Sequence, residues 1–514
     1  MAHWTSGYVD DVPYMPGFYR HLTPAMLGFS ALVHGRRFEI EAPDLTYCEL
    51  GCGQGFSANL LAAANPGMDF HAMDFNPGHI VNARRLAAEA GLANIHFYER
   101  AFADFAAEPA VPQAFDIIAL HGVFSWISPE NRAHIVDFIA RRLKPGGLVA
   151  VSYNAMPGWV VTLPLRRLLA DRAAKTSGPI GPRIDEALAF AQALADADAG
   201  FFKVHRAAGG RLQSLPPMSR AYLAHEYFNR DWTPLYFEDV VLELAEAKLG
   251  YLGSLNLIDA MDDLSLTPAQ RQVLESEGDP IRREGVRDFL VNQLFRADLF
   301  GKGTSVLSER SAAGIWLRTR FALSVAAAQV PATAKARLGE IDLQADPFRT
   351  LLAAFANGPK SVRDILIANA TPDLNWGQIR HGLTVLVGAG HLQPCLGEAA
   401  EAEGIAGCTA FNRAVCTLAE DGEEHQFLAS PVTGGGVAVT RAERLFLLAR
   451  GEGHQGPAAW ADFAWQILAP QGQRVLKNGQ MLESDAANRA ELLEQAEHFA
   501  QVRLPTFEAL KVTF

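Results

Sequence analysis

The sequence predicts an α/β protein built on a Rossmann-like, doubly wound parallel sheet, with a helical insertion and C-terminal α+β domains. Three observations carry this expectation. The short apolar run Leu45-Thr46-Tyr47-Cys48 leads into Glu49-Leu50-Gly51-Cys52-Gly53-Gln54-Gly55, which opens a helix-like run from Phe56 to Ala64. Further apolar runs at Met68–Met73, Ile95–Tyr98, Phe115–Leu120 and Leu148–Tyr153 alternate with helical patterns. A helix that ends at Gly250 feeds directly into Tyr251–Leu257, a candidate sixth strand. Strands alternating with helices predict a parallel sheet, whose ligands bind beyond the carboxyl ends of the strands.

Each element has a local reason. Glycines at alternate positions let the backbone turn sharply off the first strand and come close to a ligand. Dinucleotide enzymes place their third glycine one residue later, where this chain has Phe56. The second strand ends in Asp74, followed by Phe75-Asn76-Pro77, which suits a helix cap with proline at the first helical position. A carboxylate at that strand end can accept hydrogen bonds from both hydroxyls of a ribose. A helix-start charge is the alternative reading. The third strand leads to Ala101-Phe102-Ala103-Asp104, and the fourth ends at His121-Gly122-Val123-Phe124-Ser125-Trp126. Pro129–Leu143 reads as an amphipathic helix stopped by Pro145-Gly146-Gly147. His121, Phe124, Trp126, Tyr153 and Asn154 all fall at strand ends and so become candidates for ligand contact.

The glycine spacing, with Glu49 two residues before the first glycine, resembles motif I of the class I S-adenosylmethionine-dependent methyltransferases. The resemblance implies S-adenosyl-L-methionine as cofactor. Glu49, Gly51, Gly53 and Gly55 then face its amino-acid end, Asp74 and Phe75 its ribose, and Phe102, Ala103 and Asp104 its adenine. His121, at the fourth strand end, is a candidate for cofactor contact or for proton acceptance. Tyr153 and Asn154 are candidates for orienting an acceptor, and Trp126 for walling it. Tyr14, Tyr19, Phe124 and Trp159 join Trp126 and Tyr153 as aromatic pocket candidates, with core packing as the alternative for such residues. No metal is expected.

Longer phrases narrow the resemblance. AHEYF (224–228), PLYFEDVV (234–241) and RDFLVNQLFR (287–296) resemble the methyltransferase regulatory domain. HGVFSW (121–126), SYNAMPGW (152–159), the stretch Tyr8–Tyr14 and LASPVTG (428–434) resemble the same group. That group is related to the rickettsial protein-lysine methyltransferases that modify outer-membrane proteins. The Asp/Asn-Pro-Pro-Tyr signature of other amine and amide methyltransferases is replaced here by His121-Gly122-Val123-Phe124. The implied acceptor is a lysine amine on a protein substrate. Its amine must arrive deprotonated, against a solution pKa of about 10.4. A dry aromatic pocket favours the neutral amine and tolerates the cationic product. A small-molecule or RNA methyltransferase, or a non-catalytic S-adenosylmethionine-binding regulator, are the alternatives.

Chain organisation follows. At 514 residues the chain exceeds one core. The expected plan is a methyltransferase domain over 1–300, with a helical insertion at about 156–235 and the regulatory-like segment at about 217–300. Arg287–Arg296 is the candidate seventh strand. Residues 301–345 read as a connection, 346–400 as a winged-helix-like module and 401–514 as a C-terminal domain. The helix Trp376–Gly388 carries one Arg and one His, too little charge for a DNA-reading helix. It reads as a protein-interaction element, through which the C-terminal modules could form a homodimer. A net charge of −12 argues against nucleic acid. Five scattered cysteines without a C-x-x-C pair fit a reducing cytoplasm and argue against disulfides and structural zinc. No apolar stretch approaches the ~18 residues of a spanning helix and no signal-peptide pattern opens the chain, so a cytoplasmic protein without membrane insertion is expected.

Overall fold

The structure, a computed structural model, describes Tyr8 and residues 16–514. Tyr14, one of the aromatic candidates, and the 9–13 stretch lie outside the described residues. After helix α1 (Pro24–Val33) the chain runs β1 (Leu45–Leu50), α2 (Phe56–Ala64), β2 (Met68–Asp74), α3 (Pro77–Glu89), β3 (Ile95–Glu99), α4 (Phe102–Phe105), β4 (Phe115–Leu120), α5 (Pro129–Arg142) and β5 (Leu143–Asn154). Five helices follow, α6 to α10: Leu163–Ala173, Ile180–Asp196, Gly200–Val204, Arg206–Ser214 and Arg220–Tyr227. The chain then returns through α11 (Phe237–Ala245), β6 (Gly250–Ser254), α12 (Asp262–Ser265), α13 (Pro268–Glu275), α14 (Pro280–Val291) and β7 (Phe295–Gly301).

These strands form one seven-stranded sheet in the order β3-β2-β1-β4-β5-β7-β6. The first five are parallel, and β7 runs antiparallel to both β5 and β6. The α/β class read from the sequence is therefore observed. Local chemistry sets the helix starts. Asn76 accepts from the amides of Gly78 and His79 ahead of α3, and Ser128 accepts from Asn131 ahead of α5, each with proline at the first helical turn.

The seventh strand departs from expectation. Arg287–Val291 finishes α14, Asn292 ends that helix at a φ of 50°, and β7 begins only at Phe295. Asp279 caps α14 by accepting from the amides of Ile281 and Arg282, so the helix is nucleated well before the apolar run. The apolar run Phe289-Leu290-Val291 ends a helix instead: Arg287 and Asp288 are buried, while Phe289 is 64% exposed. The fifth strand starts at Leu143, earlier than read: Leu143 pairs with Phe115, the Pro-Gly-Gly segment passes as a register shift, and the ladder resumes with Leu148 opposite Ile117.

Four buried clusters organise the molecule. One sheet face packs under α2 and α3, and that core continues without a break into residues of the 398–514 region. The helix Glu398–Thr417 lies so close to α2 that a Cβ on Gly407 would stand 2.9 Å from the Ala63 carbonyl. Cys408 Sγ donates to that same carbonyl at 3.5 Å. The other face packs under α5 and α11. The helices α6 to α10 share a core of their own. Residues 309–395 form a further cluster with α1, in which a three-stranded sheet joins Arg320–Leu323, Lys360–Ser361 and Leu392–Cys395 beside the helices Phe348–Phe355, Val362–Ile367 and Trp376–Gly388.

One buried cation ties the closing strands together. Arg296 on β7 reaches Asp288 Oδ1 of α14 at 2.6 Å and Asp298 Oδ2 at 2.8 Å, and lies 4.1 Å over the Phe237 ring of α11. Tyr153 of β5 donates to the same Asp298 oxygen at 2.8 Å. Removing Arg296 strands at least two buried carboxylates, the situation in which a broken buried ion pair is most costly. Arg296→Met should lower stability by about 3–5 kcal/mol in denaturant unfolding, with a loss below about 1 kcal/mol indicating that the network carries little of the fold.

Candidate functional site

A cavity of about 650 Å³ opens at the carboxyl ends of β1, β2 and β4. Its floor is the loop between β1 and α2. The amides of Gly51 and Cys52 both donate to the Met73 carbonyl at 2.9 Å, which folds the loop back onto the end of β2. Gly51, Gly53 and Gly55 have φ of 77°, 53° and 68°, a region that side chains disfavour. A Cβ on Gly51 would also stand 2.6 Å from Val123 Cγ2. Gly55 has a different task from the other two: it starts α2 and meets Ala83 and Phe97, beneath the cavity wall.

Asp74, buried at the end of β2, ties the loop to α3. Its Oδ2 accepts from the Gly53 amide at 3.0 Å, and its Oδ1 from the Asn76 amide at 2.9 Å and His79 Nδ1 at 3.2 Å. Glu49 is 5% exposed, and its Oε2 has no hydrogen-bond partner among the described residues. Burial, and secondly the charge of Asp74, push the Glu49 carboxyl up to about 8. A buried carboxyl with an unused oxygen, beside a loop whose amides approach the cavity, suits a ligand that brings its own ammonium or hydroxyl. Phe75, Phe102 and Asp104 line the wall on the β2–β3 side, whereas Ala103 does not line the cavity.

The opposite wall is aromatic. Tyr19, His121 and Trp126 line it, with Asn229 and Asp231 beyond α10, while the Tyr8 ring packs edge-on against Phe75 at 5.4 Å. His121 Nδ1 lies 3.0 Å from Ser152 Oγ and 3.2 Å from His21 Nε2, and its ring centroid is 3.6 Å from that of Tyr19. Burial, then the neighbouring His21, hold the His121 imidazole well below its ordinary range, so it is neutral at pH 7. Tyr153 and Asn154 do not line the cavity. Tyr153 is fully buried with its hydroxyl on Asp298, and Asn154 is buried, its backbone N–H donating to Ser125 Oγ at 2.9 Å. The orienting role read for these two from the sequence therefore has no contact with the cavity, because alternate β5 side chains turn into the two cores. Phe124 is core, and Trp159 packs edge-on against Trp232 at 4.9 Å instead of facing the cavity.

Sequence reasoning missed His21, His79, Glu99, Asn229 and Asp231. His79 and Glu99 sit within a turn of strand ends already singled out, and that position was their only signal. Asn229 and Asp231 arrive from the helical insertion, where no local pattern marks them.

Comparison with known proteins agrees with this geometry. A methyltransferase domain model matches residues 48–149, and a predicted methyltransferase regulatory domain matches residues 219–302. The uncharacterized protein sll1526 of Synechocystis sp. is 38% identical over 510 residues, covering 99% of this chain and 100% of its own. This chain is a class I S-adenosylmethionine-dependent methyltransferase with a methyltransferase regulatory domain. The uncharacterized protein RP789 of Rickettsia prowazekii is 27% identical over 297 residues, 56% of this chain and 52% of its own. The structure of PKMT2 from Rickettsia typhi in complex with AdoHcy shares the methyltransferase's fold, with a TM-score of 0.69 at 17% identity, over 98% of this chain and 100% of that one.

The cofactor of this methyltransferase is S-adenosylmethionine. Two expectations follow from how the site would hold it. Asp74→Asn places an amide against the Gly53 amide, and should weaken S-adenosylmethionine binding by about 10- to 100-fold in calorimetry, the worth of a charged hydrogen bond. Unchanged affinity would remove Asp74 from the site. Glu49 has a raised carboxyl, so in the free protein it is protonated below about 8 and opposes stability as pH rises from its ordinary 4.5 toward that value. An ammonium seated against it drives the proton off. Affinity should therefore rise by up to about tenfold per pH unit between pH 6 and 7.5, with proton release on binding, and Glu49→Gln should flatten that dependence.

Proposed function

We propose that this methyltransferase transfers a methyl group to the side-chain amine of lysine on a protein substrate. The observation that carries the reading is the acceptor side of the cavity, where the Tyr19 ring lies 3.6 Å from that of a neutral His121, and Trp126 and Asp231 line the same cavity. Asp231, 2.9 Å from Arg230, must exchange that partner to receive a cationic side chain. The aromatic walls then strip its water and favour the uncharged amine, while their ring faces accept the cationic product. His121 has Nδ1 committed to Ser152 and His21, which leaves Nε2 to hold an N–H of the amine. Held neutral, it is suited to positioning more than to carrying the proton away.

When bound, S-adenosylmethionine supplies an electrophilic sulfonium methyl, so alignment and exclusion of water are the protein's share of the reaction. Glu49, Gly51, Gly53, Asp74, Phe75, Phe102 and Asp104 are the residues proposed to hold it. The resemblance of the chain's motifs to the rickettsial protein-lysine methyltransferases, and the fold shared with PKMT2, support a protein acceptor. We further propose residues 1–300 as the catalytic domain, with about 156–235 as its lid, and residues 346–400 as a winged-helix-like module for protein contacts.

Incubating the enzyme with methyl-labelled S-adenosylmethionine and fractionated lysate tests the acceptor. Label in protein that hydrolyses to methylated lysine is the expected result. Label confined to RNA or small metabolites would overturn the protein acceptor, and cofactor binding without any transfer would identify a regulator.

A further inference from the structure

We infer that Asp69, His71 and His96 form a binding site for a divalent transition metal, away from the methyl-transfer cavity. Asp69 and His71 are two residues apart on β2 and so share one face of the sheet. His96 of β3 stands directly opposite His71 in the ladder, on the same face. Asp69 lies 2.9 Å from His71 Nε2 through Oδ2 and 3.1 Å from His96 Nε2 through Oδ1. The three donor atoms lie within 4.8 Å of one another. Ligand bonds of about 2.0–2.1 Å to a tetrahedral ion put donors roughly 3.3 Å apart, so the groups are already near coordinating distance.

The surroundings of His71 point the same way. Its Nδ1 is 2.9 Å from the Tyr98 hydroxyl, and that hydroxyl donates to the Ala110 carbonyl at 3.1 Å. A phenol has one proton. With it on Ala110, the Tyr98 oxygen accepts from His71 Nδ1–H, and the lone pair of Nε2 then faces the Asp69 carboxylate. A cation between the two satisfies both, and a hydrogen bond fixing the remote ring nitrogen is the usual support of a metal-bound imidazole. His71 is buried, whereas the His96 and Asp69 side chains are 47% and 45% exposed, which lets an ion enter and water complete its shell. Two imidazoles and one carboxylate select zinc, cobalt, nickel or copper over magnesium or calcium. The site lies three to five residues before Asp74 on β2, roughly 10–16 Å along the strand, so an ion there would staple edge strand β3 to β2 without touching the reacting groups.

Calorimetric titration of the chelator-stripped, full-length protein with zinc chloride tests this. One equivalent should bind with micromolar or tighter affinity, and His96→Ala, which alters a half-exposed side chain, should weaken it by more than about 10-fold. Cobalt(II) in place of zinc should give visible absorption in the wild type that His96→Ala and Asp69→Asn both lose. Absence of stoichiometric zinc binding to the wild type, or zinc binding unchanged in a folded His96→Ala, would overturn the site.

Discussion

The site depends on one constraint: the loop after β1 must fold back onto the end of β2. Two amides share the Met73 carbonyl and a third, from Gly53, goes to Asp74. Backbone donors spent in this way fix the loop against its neighbouring strand, and glycine at the turning positions takes the required φ without a side-chain penalty. Glu49 and Asp74 are thereby brought close enough for each to feel the other's charge, which is part of why the Glu49 carboxyl is held high. Cradle geometry and cradle electrostatics are consequences of the same turn.

That turn is braced from behind. Helix α2, which begins at Gly55, is covered on its far side by the helix Glu398–Thr417, and Phe56 meets both Phe411 and His425. Asn65, just past the end of α2, donates to the Gly434 carbonyl at 2.9 Å. Residues distant in sequence thus share the core on which the cofactor loop rests. The matched regulatory segment has a comparable standing. It contains β6 and β7, which complete the catalytic sheet, and Arg296 then locks β7 to α14 and to the Tyr153–Asp298 pair on β5.

Much of this was legible in the chain itself. Strands β1 to β4 and the cap at Asn76 announce themselves because apolar period and capping chemistry are local. The seventh strand starts later than the sequence suggests for an equally physical reason: Arg287–Arg296 holds enough apolar residues for a strand, but the Asp279-Pro280 start upstream commits its first half to a helix. The three groups proposed to hold a metal gave no spacing signal either, since they come from two strands that meet only in the ladder.

The sequence by itself determined the class of sheet, the glycine turn and the carboxylate at Asp74, because each rests on a few neighbouring residues acting on their own backbone, and the cofactor followed from the family resemblance those residues carry. Tertiary structure alone decided which strand-end side chains reach the cavity. It turned Tyr153 and Asn154 into the interior, set His121 against Tyr19, His21 and Ser152, and brought Asn229 and Asp231 across from the insertion. Side-chain direction at a strand end depends on register and on what packs against each face, and those partners lie up to hundreds of residues away.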